Sequence, residues 1–191
     1  MTPWTVAREP FDSPVALDLW RAYYTEVSDR WFLLHEGRRT PPPELERGLA
    51  AETGSELAPP HGALLVAWYG GEAVGCAGVR PAPEVSGEYE GAYGLTRVYL
   101  RPGHRGKGGA ALLLAAVEDT ARSLGARRLV LDTRHDLTEA RALYARHGYT
   151  ETGPLYRHQY AEHWFHKALD APGRGHGALP GARPEGLSAA G

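Results

Sequence analysis

The stretch Val98–Leu114, VYLRPGHRGKGGAALLL, carries an extended apolar run through a basic, glycine-rich loop and straight into a helical pattern. That order makes an anion site. The first backbone N–H groups of a helix have no intrahelical partner, and the helix dipole places partial positive charge at the same end. Gly106, Gly108 and Gly109 remove the side chains that would keep a pyrophosphate from those N–H groups, while Arg105 and Lys107 add positive charge.

Spacing sorts the known phosphate loops. A Walker A loop needs G-x-x-x-x-G-K-[ST], but here Gly106-Lys107 is followed by Gly108, and Arg101 stands where the first glycine belongs. A dinucleotide fingerprint, G-x-G-x-x-[GA], is formally met by Gly106, Gly108 and Ala111, with Asp132 ending the next extended run. A nucleotide-binding oxidoreductase therefore stays open on the motif alone. Against it stand an upstream hairpin pattern and the absence of the further β-α repeats that a doubly wound sheet requires.

Working outward, Asp12-Ser13-Pro14 starts a helix, and Ala16, Leu17, Trp20, Tyr23, Tyr24 and Val27 follow at helical spacing. Residues 30–60, broken by Gly37, three consecutive prolines and Pro59-Pro60, read as a mobile connector with a short helix around Leu45–Ala51. Ala63–Tyr69 and Glu72–Val79 flank Gly70-Gly71, the pattern of a β-hairpin, and Tyr93–Leu100 is a third strand. Past the glycine loop, Leu113, Ala116, Val117, Thr120, Ala121 and Leu124 mark a helix that Gly125 stops. Arg128–Asp132 is a short buried strand. Asp136 and Glu139 resemble a capping box for a helix running to Gly148. Extended chain follows from Tyr149, and His163–Ala168 closes as a strand. Residues 171–191 hold little that could be buried and read as a disordered tail, leaving 1–170 as one domain.

The whole chain agrees with this layout. Its 191 residues are 42% hydrophobic and 23% charged, with formal net charge -2, the profile of one globular domain. A single cysteine, Cys76, excludes an internal disulfide framework and the usual zinc clusters. Near-neutral charge argues against broad binding to nucleic acid or to an anionic membrane, so a small molecule is the expected partner. The opening residues lack the apolar core of a leader peptide, which predicts a cytoplasmic protein.

These motifs resemble the GNAT superfamily of acyl-CoA-dependent N-acetyltransferases. Its pyrophosphate loop, [QR]-x-x-G-x-[GA], is similar to the segment Arg105, Gly106, Lys107, Gly108, Gly109 and Ala110, and RLVLDT followed by TEARALYARHGY resembles the family's next strand and tyrosine-bearing helix. The resemblance runs from about Gly62 to Trp164. It implies an α+β, three-layer fold whose mixed, mostly antiparallel sheet is splayed in a V, with helices on both faces. Acetyl-CoA would lie in the gap, its pantetheine arm paired with the backbone of Val98, Tyr99 and Leu100 and its pyrophosphate on the amides from Arg105 to Ala110. Tyr144 would protonate the departing thiolate as general acid, a task that suits a phenol of ordinary pKa near 10.

The implied activity is direct acetyl transfer to a primary amine of a small metabolite or antibiotic-like molecule. A protein lysine or N-terminal amine is the second acceptor class, a silent acyl-CoA-binding module a third reading, and a homodimer is compatible with the family. Two departures stand out. Many relatives carry a carboxylate midway along the third strand where this chain has Gly94, leaving Glu90, Tyr93, Asp132 or a water chain as candidate bases. Leu137 replaces an asparagine seven residues before the tyrosine. His158, His163 and His166 lack the cysteine or carboxylate company of a metal set and read as surface or substrate-facing. Cys76, in a small-residue strand, reads as core packing.

Overall fold

The computed structural model describes residues 3–169; the tail expected at 171–191 lies outside them. A single seven-stranded sheet organises the chain, in the spatial order β1 (Trp4–Glu9), β2 (Ala63–Tyr69), β3 (Glu72–Pro81), β4 (Tyr93–Leu100), β5 (Arg128–Thr133), β7 (His163–Ala168) and β6 (Thr150–Thr152). Every neighbouring pair is antiparallel except β4 and β5. Four α-helices cover the two faces: α1 (Pro14–Glu36), α2 (Pro42–Ala51), α3 (Gly109–Ser123) and α4 (Thr138–Arg146). The expected α+β, three-layer architecture is the one found. Among the described residues no helix is long and apolar enough to cross a membrane.

The run ALLVAWY has no polar alternation because β2 is covered on both sides. Leu65 and Ala67 pack toward α3, with Leu113, Leu114, Val117 and Ala121, in the larger core. Leu64 and Val66 meet Ala16 and Leu19 of α1, with Leu57, Cys76 and Tyr99, in the second. Gly70 and Gly71 take φ of 60° and 90°, which the tight turn between β2 and β3 demands and which residues with a Cβ resist.

Several sequence expectations need correction. Strand β1 was not anticipated: only Trp4 of its six residues is buried, so WTVARE carries no clear period-2 signal. Helix α1 starts as expected, with the Ser13 hydroxyl accepting from the Ala16 N–H at 3.1 Å and Pro14 in its first turn, but it runs on to Glu36. Trp31-Phe32-Leu33-Leu34 are therefore helical, and with α2 the stretch 30–60 is largely structured rather than a connector. The capping box does not form. Leu137 occupies the N-cap of α4 without a side-chain bond, because Arg134 holds Asp136 through two bonds of 2.8 and 2.9 Å and Arg30 takes Glu139.

The sheet's decisive feature is where its pairing stops. Strands β4 and β5 are joined only at Tyr93↔Leu129 and Gly94↔Val130 and then part. The β3–β4 register explains the divergence: Gly78 faces Thr96 and Cys76 faces Tyr99, three steps on β4 against two on β3. The extra residue is a β-bulge, and Arg97 within it has φ 54°. A bulge bends and twists its strand, here turning the second half of β4 away from β5.

Candidate active site

Beyond Gly94 the inner edge of β4 has no strand beside it, and neither has β5 beyond Val130. Backbone N–H and C=O groups on such edges need partners, so the cleft offers two main-chain ladders to an extended ligand. Val98, Tyr99 and Leu100 lie on the β4 arm, followed through Arg101–His104 by the glycine loop. The structure thus brings together the residues singled out in the sequence for the pantetheine arm and the pyrophosphate.

The loop fits a pyrophosphate. Gly106 and Gly108 have φ of 74° and 85°, and a Cβ built on either would meet nothing within 4 Å, so both conformation and open approach call for glycine. Gly108 is the N-cap of α3, which aims the helix's unpaired N–H groups at that open side. Gly109 is glycine for another reason: a Cβ there would stand 2.3 Å from the Trp4 ring. Trp4 also donates from Nε1 to the Lys107 carbonyl at 3.0 Å and packs edge-on against Tyr69 at 4.8 Å, while the Lys107 ammonium sits 5.4 Å from the Tyr69 ring centroid. The unanticipated first strand is therefore the wall against which the loop is braced.

Helix α1 lies across the opening. Tyr23, Glu26 and Arg30, at i, i+3 and i+7, form one stripe. Tyr23 packs against Tyr99 at 6.0 Å, Glu26 accepts from Arg105 at 2.7 and 2.8 Å, and Arg30 binds Asp136 and Glu139 at the start of α4. The helix thereby ties the loop on one arm to α4 on the other. Sequence reasoning followed only the apolar part of this stripe; its continuation in Glu26 and Arg30 was the available signal. Arg105 also donates from Nε to the Leu100 carbonyl at 2.8 Å, fixing its guanidinium beside the end of β4.

Tyr144 comes from α4 on the α3 side of the sheet, buried against Tyr149 and Phe165 with ring centroids 5.7 and 5.9 Å away. Burial pushes its phenol well above 10, with the charges of Tyr23 and Asp132 adding to the rise. It stays protonated at neutral pH but is a weaker acid than the ordinary phenol expected from the sequence. Asp132 stands on β5 where the strands have parted. Its two carboxylate oxygens accept from the Tyr156 hydroxyl at 2.7 Å and bond His158 Nδ1 at 2.8 Å.

Arg97 was passed over in the sequence because nothing marks a non-glycine residue for positive φ. The residue is 4% exposed; its guanidinium lies 3.8 Å from the Trp20 ring centroid and donates to the Glu52 carbonyl at 3.1 Å. The Cys76 thiol donates to the Arg97 carbonyl at 3.4 Å and is pushed up to about 12 by burial. Cys76 is thus a packed thiol that supports the bulge, as its setting in the sequence suggested. The Tyr93 hydroxyl donates to the Leu124 carbonyl at 3.2 Å, and Glu90 lies in the loop before β4.

A splayed sheet, a bulge in β4 and a glycine loop capping α3 are the geometry of one known family, and residues 18–149 match the model of the Acetyltransferase (GNAT) family. The chain belongs to the GNAT family. An uncharacterized N-acetyltransferase of Schizosaccharomyces pombe is 37% identical to this GNAT protein over 99 residues, which are 51% of this chain and 58% of that one. The chain thus spans somewhat more than half the length of that curated relative. An N-acetyltransferase of Thermoplasma acidophilum, solved in complex with coenzyme A, superposes with TM-score 0.60 at 12% identity, covering 86% of this chain and 98% of that one. A GNAT acetyltransferase of Elizabethkingia anophelis with acetyl-CoA bound gives TM-score 0.53 at 16% identity, covering 87% and 99%. Membership in this family of acetyltransferases removes the oxidoreductase reading of the glycine loop.

Proposed function

We propose that this GNAT protein transfers the acetyl group of acetyl-CoA directly to a primary amine of a small molecule. One observation supports the reading: the inner edges of β4 beyond Gly94 and of β5 beyond Val130 are unpaired, with an accessible cationic glycine loop after the β4 arm and Asp132 on the β5 arm. Acetyl-CoA supplies an activated thioester when bound. Backbone groups of Val98–Leu100 hold its arm, and the amides of Arg105–Ala110, with the Lys107 charge, hold its phosphates.

In the transfer the amine nitrogen bonds the carbonyl carbon, the carbon–sulfur bond breaks, Tyr144 gives its proton to the sulfur, and the nitrogen, now an amide, releases its extra proton to water. The raised pKa of Tyr144 makes its phenolate short-lived, so it regains a proton from water before the next turn. A cationic acceptor suits the side opposite α3, where the carboxylates of Asp132 and Glu52 act on Tyr23 together and Glu52 also on Tyr24. Aromatic faces and carboxylates together attract an ammonium.

Acetyl-CoA with a panel of ethylamine, 2-phenylethylamine, spermidine and a lysine-containing peptide tests the proposal. Thiol release should match acetylated small amine one for one. Preference for the peptide would move the acceptor class to protein, and binding of acetyl-CoA without release on any amine would make the chain a silent acyl-CoA-binding module.

A further inference from the structure

The cleft has a proton donor but lacks the strand carboxylate that would free an ammonium for attack. Gly94 occupies that place, and the three atoms nearest a Cβ built on it all belong to Arg80. The same sheet face provides another group. Gly94 pairs with Val130, and two residues further along β5 the Asp132 carboxylate is engaged on both oxygens, by Tyr156 and by His158. A carboxylate only accepts, so His158 carries its proton on Nδ1 and presents the Nε2 lone pair. The ring is half exposed and borders a pocket with Tyr156, Arg157 and Trp164. The indole N–H of Trp164 in that wall is buried without a partner among the described residues.

We propose that His158 is the general base of the acetyl transfer, taking the proton from the acceptor ammonium at Nε2, with Asp132 as the positioning residue and Tyr156 fixing Asp132. The proposal rests on the acetyl-transfer reading and names the group that reading leaves unassigned. The proton passes from the ammonium nitrogen to Nε2, the neutral amine attacks, and the imidazolium formed beside Asp132 later releases the proton to water. Tyr144 then acts as acid toward the sulfur and His158 as base toward the nitrogen.

The groups around the imidazole favour this role. The hydrogen bond to Asp132 raises its pKa above 6.5, burial opposes that rise, the charges of Asp132 and Glu52 support it, and Arg80 counters it. A raised pKa makes the imidazole a stronger base toward the ammonium proton.

The test uses the full chain, the amine panel above, and the variants His158→Gln and Asp132→Asn. His158→Gln is expected to keep the wild-type affinity for acetyl-CoA in calorimetry and to lower kcat roughly 10²–10⁴-fold at pH 7. The limb of the rate profile that rises with pH should disappear. Asp132→Asn should move that limb to lower pH, and in nuclear magnetic resonance the His158 imidazole should titrate above 6.5 in the wild type and lower in this variant. An active wild type whose His158→Gln variant keeps kcat and profile overturns the proposal while leaving acetyl transfer standing. An imidazole indifferent to Asp132→Asn overturns the pairing, and a wild type inactive on the whole panel overturns the acetyl-transfer reading and this one together.

Discussion

The indole N–H of Trp4 donates to the carbonyl of Lys107 at 3.0 Å, joining two residues 103 positions apart. Through that bond, and through the contact of its ring with Gly109, the edge strand β1 holds the glycine loop in shape. Trp4→Phe keeps a ring over Gly109 but leaves the carbonyl unpaired. It should cost about 1 kcal/mol of stability and weaken acetyl-CoA binding several-fold, readable by thermal melting and calorimetry. An unchanged affinity would show that the loop holds itself.

Gly108→Glu should abolish acetyl-CoA binding while the protein stays folded. The position is exposed, so the fold tolerates a side chain, but φ of 85° strains any residue with a Cβ and the new carboxylate would face phosphates at the start of α3. Calorimetry with acetyl-CoA and a far-ultraviolet dichroism spectrum give the two readouts; retained affinity would count against the loop as the phosphate site.

Glu26 neutralises Arg105 through contacts of 2.7 and 2.8 Å. Removing its charge in Glu26→Gln should tighten acetyl-CoA binding, more at low than at high salt, because exposed charges near the loop are screened. A dissociation constant that rises would mean that Arg105 needs Glu26 for position more than the phosphates need the extra charge.

Tyr144→Phe retains the ring packed on Tyr149 and Phe165 and removes only the hydroxyl. Turnover at saturating substrate should fall roughly 10²–10⁴-fold with acetyl-CoA affinity preserved, since the proton is given chiefly in the transition state. A loss of stability with full activity per folded molecule would make Tyr144 a core residue alone.

The ion cluster at the start of α4 governs acid stability. Burial alone would raise the Asp136 carboxyl, but hydrogen bonds and charge from Arg134, with the Arg30 charge, outweigh it and hold the pKa below 3.8. Glu139 is likewise lowered, first by its bond to Arg30. A depressed folded-state pKa contributes stability above the unfolded value that is lost as pH falls through the folded one. Melting temperature should therefore drop below about pH 4, and Asp136→Asn should flatten that drop. An identical acid limb in the variant would place the sensitivity elsewhere.

What the sequence determined by itself is what local physics governs. The glycine loop and its helix follow from backbone conformations that only glycine adopts readily and from unpaired N–H groups at a helix start, both readable in GKGGA. The boundaries of β4, the hairpin at Gly70-Gly71, Ser13 at the head of α1 and Gly125 at the end of α3 are legible for the same reason. The tertiary structure decided what depends on distant partners. Trp4 makes WTVARE a strand only because β2 and the loop receive it. Arg97 opens the cleft through a bulge that no glycine announces, stabilised by Trp20 from α1 and the Glu52 carbonyl. Asp136, legible as a cap, is drawn instead to Arg134 and Arg30, since charged partners outcompete a backbone N–H. Asp132 and His158, 26 residues apart, meet only because β5 parts from β4 and the chain after β6 folds back over its exposed end.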